Sequence, residues 1–177
     1  MELNNCIKQR RSIRKYAPCQ IDKATIEEIV MAGQLAPSWK NSQTPRYYAV
    51  ISEEGKEKLR SLLASFNMER TNGAGAFIVT TVQKGLSGCD SEGKYFSHLK
   101  NGFECFDNGL AAQNMLLKAY ELGYGSLIMG LYDEKAIREY LSVPENEDIV
   151  VVIALGKRDI CPDMPERKDI NEVLKIF

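Results

Sequence analysis

The sequence holds one histidine, His98, and one tryptophan, Trp39. With a single imidazole and scattered cysteines there is no cluster of zinc-ligand spacing. A Ser–His–Asp or Cys–His machine would rest wholly on His98, and no G-x-S-x-G turn presents a nucleophile. The five cysteines, Cys6, Cys19, Cys89, Cys105 and Cys161, include no C-x-x-C pair. Their odd number suits reduced thiols in the cytoplasm better than a secreted disulfide framework. The opening MELNNCIKQRRS lacks the apolar stretch of a secretory leader, and no apolar run reaches the roughly 18 residues of a membrane span. Lys plus Arg number 23 against 24 Asp plus Glu, so neither a general nucleic-acid binder nor a polybasic membrane protein is expected. A dinucleotide loop of G-x-G-x-x-G type is missing too. No catalytic side chain and no metal ligand stands out, and the chemistry is expected to come from a bound group.

The composition is that of an ordinary globular protein, 44% hydrophobic and 27% charged over 177 residues, enough for one domain spanning 1–177. Residues 3–11 read as a short helix ending in Lys8, Arg10 and Arg11. The next segment holds Pro18 and cannot continue a helix. Asp22 or Thr25 caps an amphipathic helix that runs to about Ala36, with Thr25 and Glu28 matching a capping box. The spacing predicts a strand over 47–52, a helix over 53–65 with Leu59, Leu62, Leu63 and Phe66 together, and a turn-rich link over 67–75. A β-branched strand comes next at 76–82, then a polar, glycine-containing surface excursion at 83–98, expected to be mobile. Residues 103–122 read as a buried central helix with almost no polar face, ended by Gly123 and Gly125. A short strand or turn at 127–131, a helix from Asp133 to about Leu141, and a continuous apolar strand at 149–155, suited to a central position, complete an α+β or α/β domain.

Four polar signals stand out. Arg10-Arg11-Ser12-Ile13-Arg14 reads either as a solvated helix end or as an anion site, because forked guanidiniums match phosphate oxygens. Pro37-Ser38-Trp39-Lys40-Asn41-Ser42-Gln43 reads as a turn, or as amides and hydroxyls offered to a flat heterocycle on which Trp39 could stack. Ile128-Met129-Gly130 is strand packing, or a place where backbone approaches a ligand closely. Arg167-Lys168 is surface charge, or a further phosphate contact.

Their order carries more than any one of them. R-R-S-x-R near residue 10 and P-S-x-x-N-x-Q near residue 40 come first. D-N-G-L-A-A-Q-N-M-L-L-K-A-Y-E-L-G-Y-G-S at 107–126, the M-G pair, V-V-V-I-A-L-G at 150–156 and P-E-R-K at 165–168 come after them. Together they resemble the nitroreductase family of flavin enzymes over nearly the whole chain. The resemblance implies an α+β nitroreductase-like fold: a mixed, largely antiparallel central sheet surrounded by helices, in an intertwined homodimer with FMN at the subunit interface. It implies that Arg10 and Ser12 bind the FMN phosphate with Arg11 beside them, and that Arg14 lies near the pyrimidine end of the ring. Pro37, Ser38, Trp39, Asn41 and Gln43 would belong to the segment that reaches the other subunit's flavin. Asn67 and Arg70 would contact the ring, Ile128, Met129 and Gly130 would present backbone to its reactive side, and Arg167 or Lys168 would complete the phosphate clamp. NEVLKIF resembles a tail that crosses onto the partner.

The implied activity is reduction of nitroaromatic, quinone or similar electron-poor acceptors by a ping-pong mechanism, with NADH or NADPH as transient donor. The alternatives are another flavin reaction on the same fold, such as dehalogenation or enone reduction, and a non-catalytic flavin-binding protein. Three departures from the family pattern fall where substrate would sit: Thr44-Pro45 after Gln43, Met129 at a position often Glu or Gly, and an insert reduced to 83–98.

Overall fold

The computed structural model describes residues 2–96 and 98–177. Its helices are α1 (Leu3–Gln9), α2 (Lys23–Gln34), α3 (Glu53–Ser61), α4 (Ser65–Arg70), α5 (Gly102–Glu121), α6 (Glu134–Leu141) and α7 (Ile170–Val173). Its strands are β1 (Tyr16–Ala17), β2 (Pro45–Val50), β3 (Ala76–Gln83), β4 (Tyr124–Met129) and β5 (Glu147–Arg158). All named strand pairs are antiparallel. β5 is central, as its unbroken apolar run predicts: Val152 pairs with Val79 of β3 on one side and Met129 of β4 on the other. β2 closes the sheet beyond β3, and β1 prolongs the β3 side past Ala76.

Period-two alternation on β3 and β5 splits the core into two layers. Phe77, Val79, Val152 and Ala154 face one way and pack with Leu59, Leu63 and Ile137 of the α3–α6 side. Ala76, Ile78, Ile153 and Leu155 face the other and pack with Ile26, Ile29, Ala112, Met115, Leu116 and Ala119 of α2 and α5. Close approach of α2 to α5 depends on Gly33. A Cβ there would stand 2.8 Å from Met115 Cγ and 3.3 Å from the Ala111 carbonyl oxygen.

Several boundaries differ from those the sequence predicts. Asp22, not Thr25, caps α2, accepting from the Thr25 N–H at 2.8 Å. The helix predicted over 53–65 ends at Ser61, because the next residues pair elsewhere: Leu63 bridges Tyr132, Ala64 N–H donates to Leu131 O, and Leu62 O accepts from Asp133 N–H. Phe66 therefore lies 42% exposed rather than beside Leu59. The link at 67–75 contains the rest of α4. Gly125 lies inside β4, which starts earlier than predicted and pairs with β5 from Tyr124.

α5 is not devoid of polar groups on its buried side. Glu104, Asp107 and Asn108 are all buried in its first two turns. The excursion after β3 is tied to them. Glu104 accepts from Gly85 N–H at 2.6 Å, Leu86 N–H at 3.3 Å and the Tyr95 hydroxyl at 3.2 Å. Burial, and next the Glu104 carboxylate, push the Tyr95 phenol up to about 12. Ser87 and Cys89, within the excursion, are buried. All five cysteines are free thiols. Among the described residues no helix is long and apolar enough to cross a membrane, and no group of acids, histidines and cysteines could hold a metal ion.

Candidate functional site

The first signal lies along the outer edge of β4. Ser12 bridges Ser126 in parallel, and the Ile13 N–H donates to Ser126 O at 2.9 Å. Burial of Ile13 among core residues holds this contact. The bridge carries Arg10–Arg14 past the strand that ends in Ile128 and Met129. Met129 is 2% exposed and its side chain belongs to the core, so only its backbone is available to a ligand. Ile128 is 42% exposed. A Cβ built on Gly130 would meet nothing within 4 Å, so this backbone faces open space.

Arg10 is half-buried and makes no ion pair among the described residues. Burial, and then the charges of Arg11 and Arg167, lower its pKa. Arg167, in the exposed C-terminal segment, thus lies within electrostatic range of Arg10. Arg167 donates to its neighbours Pro165 O and Glu166 O. Lys168 is exposed, and so is Arg14, which donates to Ser12 O at 3.4 Å. Arginines that keep guanidinium donors free can bind an anion.

Arg11 behaves differently. Its Nη1 donates to Lys8 O at 2.7 Å and Arg10 O at 2.9 Å, closing the end of α1. Arg11 thus spends Nη1 on the helix end, while the Arg10 guanidinium has no hydrogen bond or ion pair among the described residues.

The second signal sits at the other edge of the sheet, before β2. Its backbone is strained: Lys40, Asn41 and Gln43 have φ of 47°, 57° and 49°, a region disfavoured for residues with a Cβ. Buried Asp107 holds it there. The Asp107 carboxylate accepts from the Trp39 N–H at 3.1 and 3.2 Å, from the Ser42 hydroxyl at 3.4 Å and from the Ser87 hydroxyl at 2.7 Å. One carboxylate thereby ties this loop to the excursion. The Ser38 hydroxyl accepts from Gln43 N–H at 3.0 Å. Lys40 Nζ stands 4.5 Å over the Trp39 ring, whose centroid is 6.1 Å from that of Phe96. The Trp39 ring is thus engaged within its own chain. A cavity of about 340 Å³ opens beside the loop, lined by Pro37, Ser38, Gln43, Arg46 and Asp107 among others.

Asn67 and Arg70 lie on α4, whose start is hydrogen-bonded to Leu131 just past Gly130. Asn67 is buried, and the Arg70 guanidinium sits 5.0 Å over the Phe66 ring. His98 is exposed. One edge of the fold therefore gathers Arg10, Ser12, Ile128–Gly130 and the α4 start, with Arg167 brought to Arg10. Ser38–Gln43 lies across β4, β5, β3 and β2 from Ser12. Measured across the strands alone, that is four strand spacings, about 19 Å. Glu104 and Asp107 are not among the candidate site residues read from the sequence, although Asp107 opens the quoted stretch 107–126; two acids near the start of a largely apolar helix are the available signal.

The family model described as the nitroreductase family matches residues 7–75 and 68–157. A relative from Archaeoglobus fulgidus, provisionally named NADH dehydrogenase/NAD(P)H nitroreductase, is 33% identical over 161 residues, covering 87% of this chain and 86% of its own. The provisionally named NAD(P)H nitroreductase YdgI of Bacillus subtilis is 29% identical over 180 residues, covering 85% and 86%. Among solved structures, a provisionally assigned nitroreductase from Exiguobacterium sibiricum, crystallised with FMN, superposes with a TM-score of 0.87 at 24% identity, covering 100% of this chain and 98% of the other. A nitroreductase family protein from Streptococcus pneumoniae gives 0.86 at 19% identity, covering 99% and 100%.

Proposed function

The chain belongs to the nitroreductase family, and from that premise we propose that it is an FMN-dependent NAD(P)H oxidoreductase that reduces nitroaromatic, quinone or similar electron-poor acceptors in a ping-pong cycle. The observation that carries this reading is Arg10. It is half-buried, crowded by Arg11 and Arg167 and without a carboxylate partner among the described residues, and it begins the segment that runs along β4 in the direction of Gly130, where a Cβ would meet only open space. A phosphate monoester would relieve the crowding, and a flat ring could lie against the Gly130 backbone. When bound, FMN supplies the redox chemistry, taking a hydride from the nicotinamide donor and passing electrons to the acceptor.

The residues have separate tasks in this reading. Arg10, Ser12 and Arg167 bind the phosphate, with Lys168 exposed nearby in sequence. Arg14 places a cation toward the pyrimidine end. Ile128, Met129 and Gly130 present backbone to the ring, and Asn67 and Arg70 flank it from α4. Ser38, Asn41 and Gln43, held by Asp107, serve the ring of a second copy, because about 19 Å of sheet separates them from Arg10 in the same chain. In this reading the protein is a homodimer. Exposed apolar side chains suit it: Leu3 and Ile7 on α1, Leu35 after α2, and Ile176 and Phe177 at the end of a tail in which every residue from 159 onward except Pro162 is exposed.

The test is a visible spectrum of the purified protein under argon, before and after NADH and then NADPH. A flavin spectrum that bleaches is expected; no flavin after reconstitution with FMN overturns the reading. Arg10→Ala and Ser12→Ala are expected to fold and to lose FMN, and full retention in both would remove the phosphate assignment. Sedimentation of the holoprotein as a monomer would remove the second copy.

A further inference from the structure

We propose that Arg11, Arg158 and Gln9 form a second anion pocket, distinct from the Arg10–Arg167 pair, that takes a terminal phosphate group. The two adjacent arginines of the sequence point to different tasks. Arg10 feels the charges of both Arg11 and Arg167 and lines no part of the cavity of about 180 Å³ that Arg11 lines together with Gln9, Ile13, Tyr120, Arg158 and Cys161. That volume is below the roughly 300–1,000 Å³ of sites for whole cofactors and suits a small oxyanion.

The lining is rich in donors and holds no carboxylate. Arg11 uses Nη1 on the end of α1, and its buried Nε has no partner among the described residues. The Arg158 guanidinium lies over the Tyr120 ring at 4.7 Å and makes no ion pair among the described residues. Stacking fixes its plane and leaves its N–H edge free. The Tyr120 hydroxyl donates to Gln9 Oε1 at 3.0 Å, which orients the Gln9 amide and leaves its N–H₂ to donate elsewhere. The nearest acid in sequence, Asp159, is paired with Lys15 at 2.9 Å. In a chain of formal charge −1, two arginines lacking carboxylate partners around one small cavity are an anion site rather than part of an ion-pair network. The lining of the pocket includes neither Arg10 nor Gly130.

The phosphate could be free inorganic phosphate or the 2′-phosphate that distinguishes NADPH from NADH. The test is calorimetric titration of the purified protein with inorganic phosphate at low ionic strength, with FMN in excess, on wild type, Arg158→Gln, Arg11→Gln and Arg10→Gln. One saturable site is expected in wild type and in Arg10→Gln. It should weaken at least about tenfold when one charge-assisted donor set is removed in Arg158→Gln or Arg11→Gln. Arg158 is exposed and carries the test if Arg11→Gln frays α1. No saturable site, undiminished binding in Arg158→Gln, or a site lost only in Arg10→Gln would overturn the pocket. Competition of NADPH but not NADH with phosphate, itself lost in Arg158→Gln, would assign the pocket to the nucleotide. Competition by neither would assign it to free phosphate. Failure of the protein to retain FMN bears on the flavin reading alone.

Discussion

The two loops that flank the sheet achieve order by opposite means. At the β2 edge, Lys40, Asn41 and Gln43 sit in left-handed backbone, and buried Asp107 answers the segment with hydrogen bonds to Trp39, Ser42 and Ser87. At the β4 edge, Arg10 sits within reach of like charges and is paired with no acid among the described residues. The first loop is satisfied by its own chain and offers a fixed shape. The second is left unsatisfied and offers charge. Under the proposed function the site is split in this way, with shape from one copy and charge from another, and assembly becomes a condition of ligand binding rather than an addition to it.

This difference sets the largest expected effect. Asp107→Ala removes a buried acceptor from three donor groups, and stability should fall by about 3 kcal/mol, read by urea denaturation. Asp107→Asn, which keeps an acceptor oxygen, should recover part of the loss. Arg10→Ala should change stability by no more than about 0.5 kcal/mol, because it relieves crowding by Arg11 and Arg167. Equal losses in the two variants would break the comparison.

How much of this the sequence discloses depends on the range of the interactions. β3 and β5 are legible because their alternation and apolar runs are local, and α2 because Asp22 caps it within three residues. The break between α3 and α4 is not, since Leu63 and Ala64 are claimed by Tyr132 and Leu131, far along the chain. β1 is two residues long and exists only through Arg158 and Lys157. Among site residues, the order of Arg10, Ser12, Ser38, Asn41 and Gly130 suggests a family, but nothing local says that the first and second groups lie at opposite edges. Asp107 escapes notice for the same reason: the N–H it accepts from belongs to Trp39, 68 residues earlier. The excursion at 83–98 reads as loose from its glycines, yet Glu104 holds its two ends through Gly85 and Tyr95.

Gly130 gives a smaller test of the open edge. A Cβ there meets nothing in this chain, so Gly130→Ala should fold with stability within about 0.5 kcal/mol of wild type. Under the proposed function it should nonetheless retain less FMN, because the added methyl would stand where the ring approaches. A variant with unchanged stability and unchanged flavin content would remove Gly130 from the ring's surroundings and leave Arg10 as the sole support at this edge.

The smallest effect isolates what burial adds to Asp107. Asp22 also accepts a backbone N–H, from Thr25, but it is exposed. That hydrogen bonding lowers its pKa. A carboxyl whose folded pKa lies below its unfolded value, about 3.9, contributes stability above that value and loses it as pH falls through the folded one. The stability difference between wild type and Asp22→Ala should therefore be small and constant from neutral pH down to about 5, then shrink as the pH falls below about 4. Asp107→Ala, measured alongside, should differ from wild type by far more at neutral pH, because its donors have no water to turn to. If the two deletions cost the same at pH 7, solvent reaches the Asp107 cluster, and the β2-edge loop is not the pre-shaped half of the site.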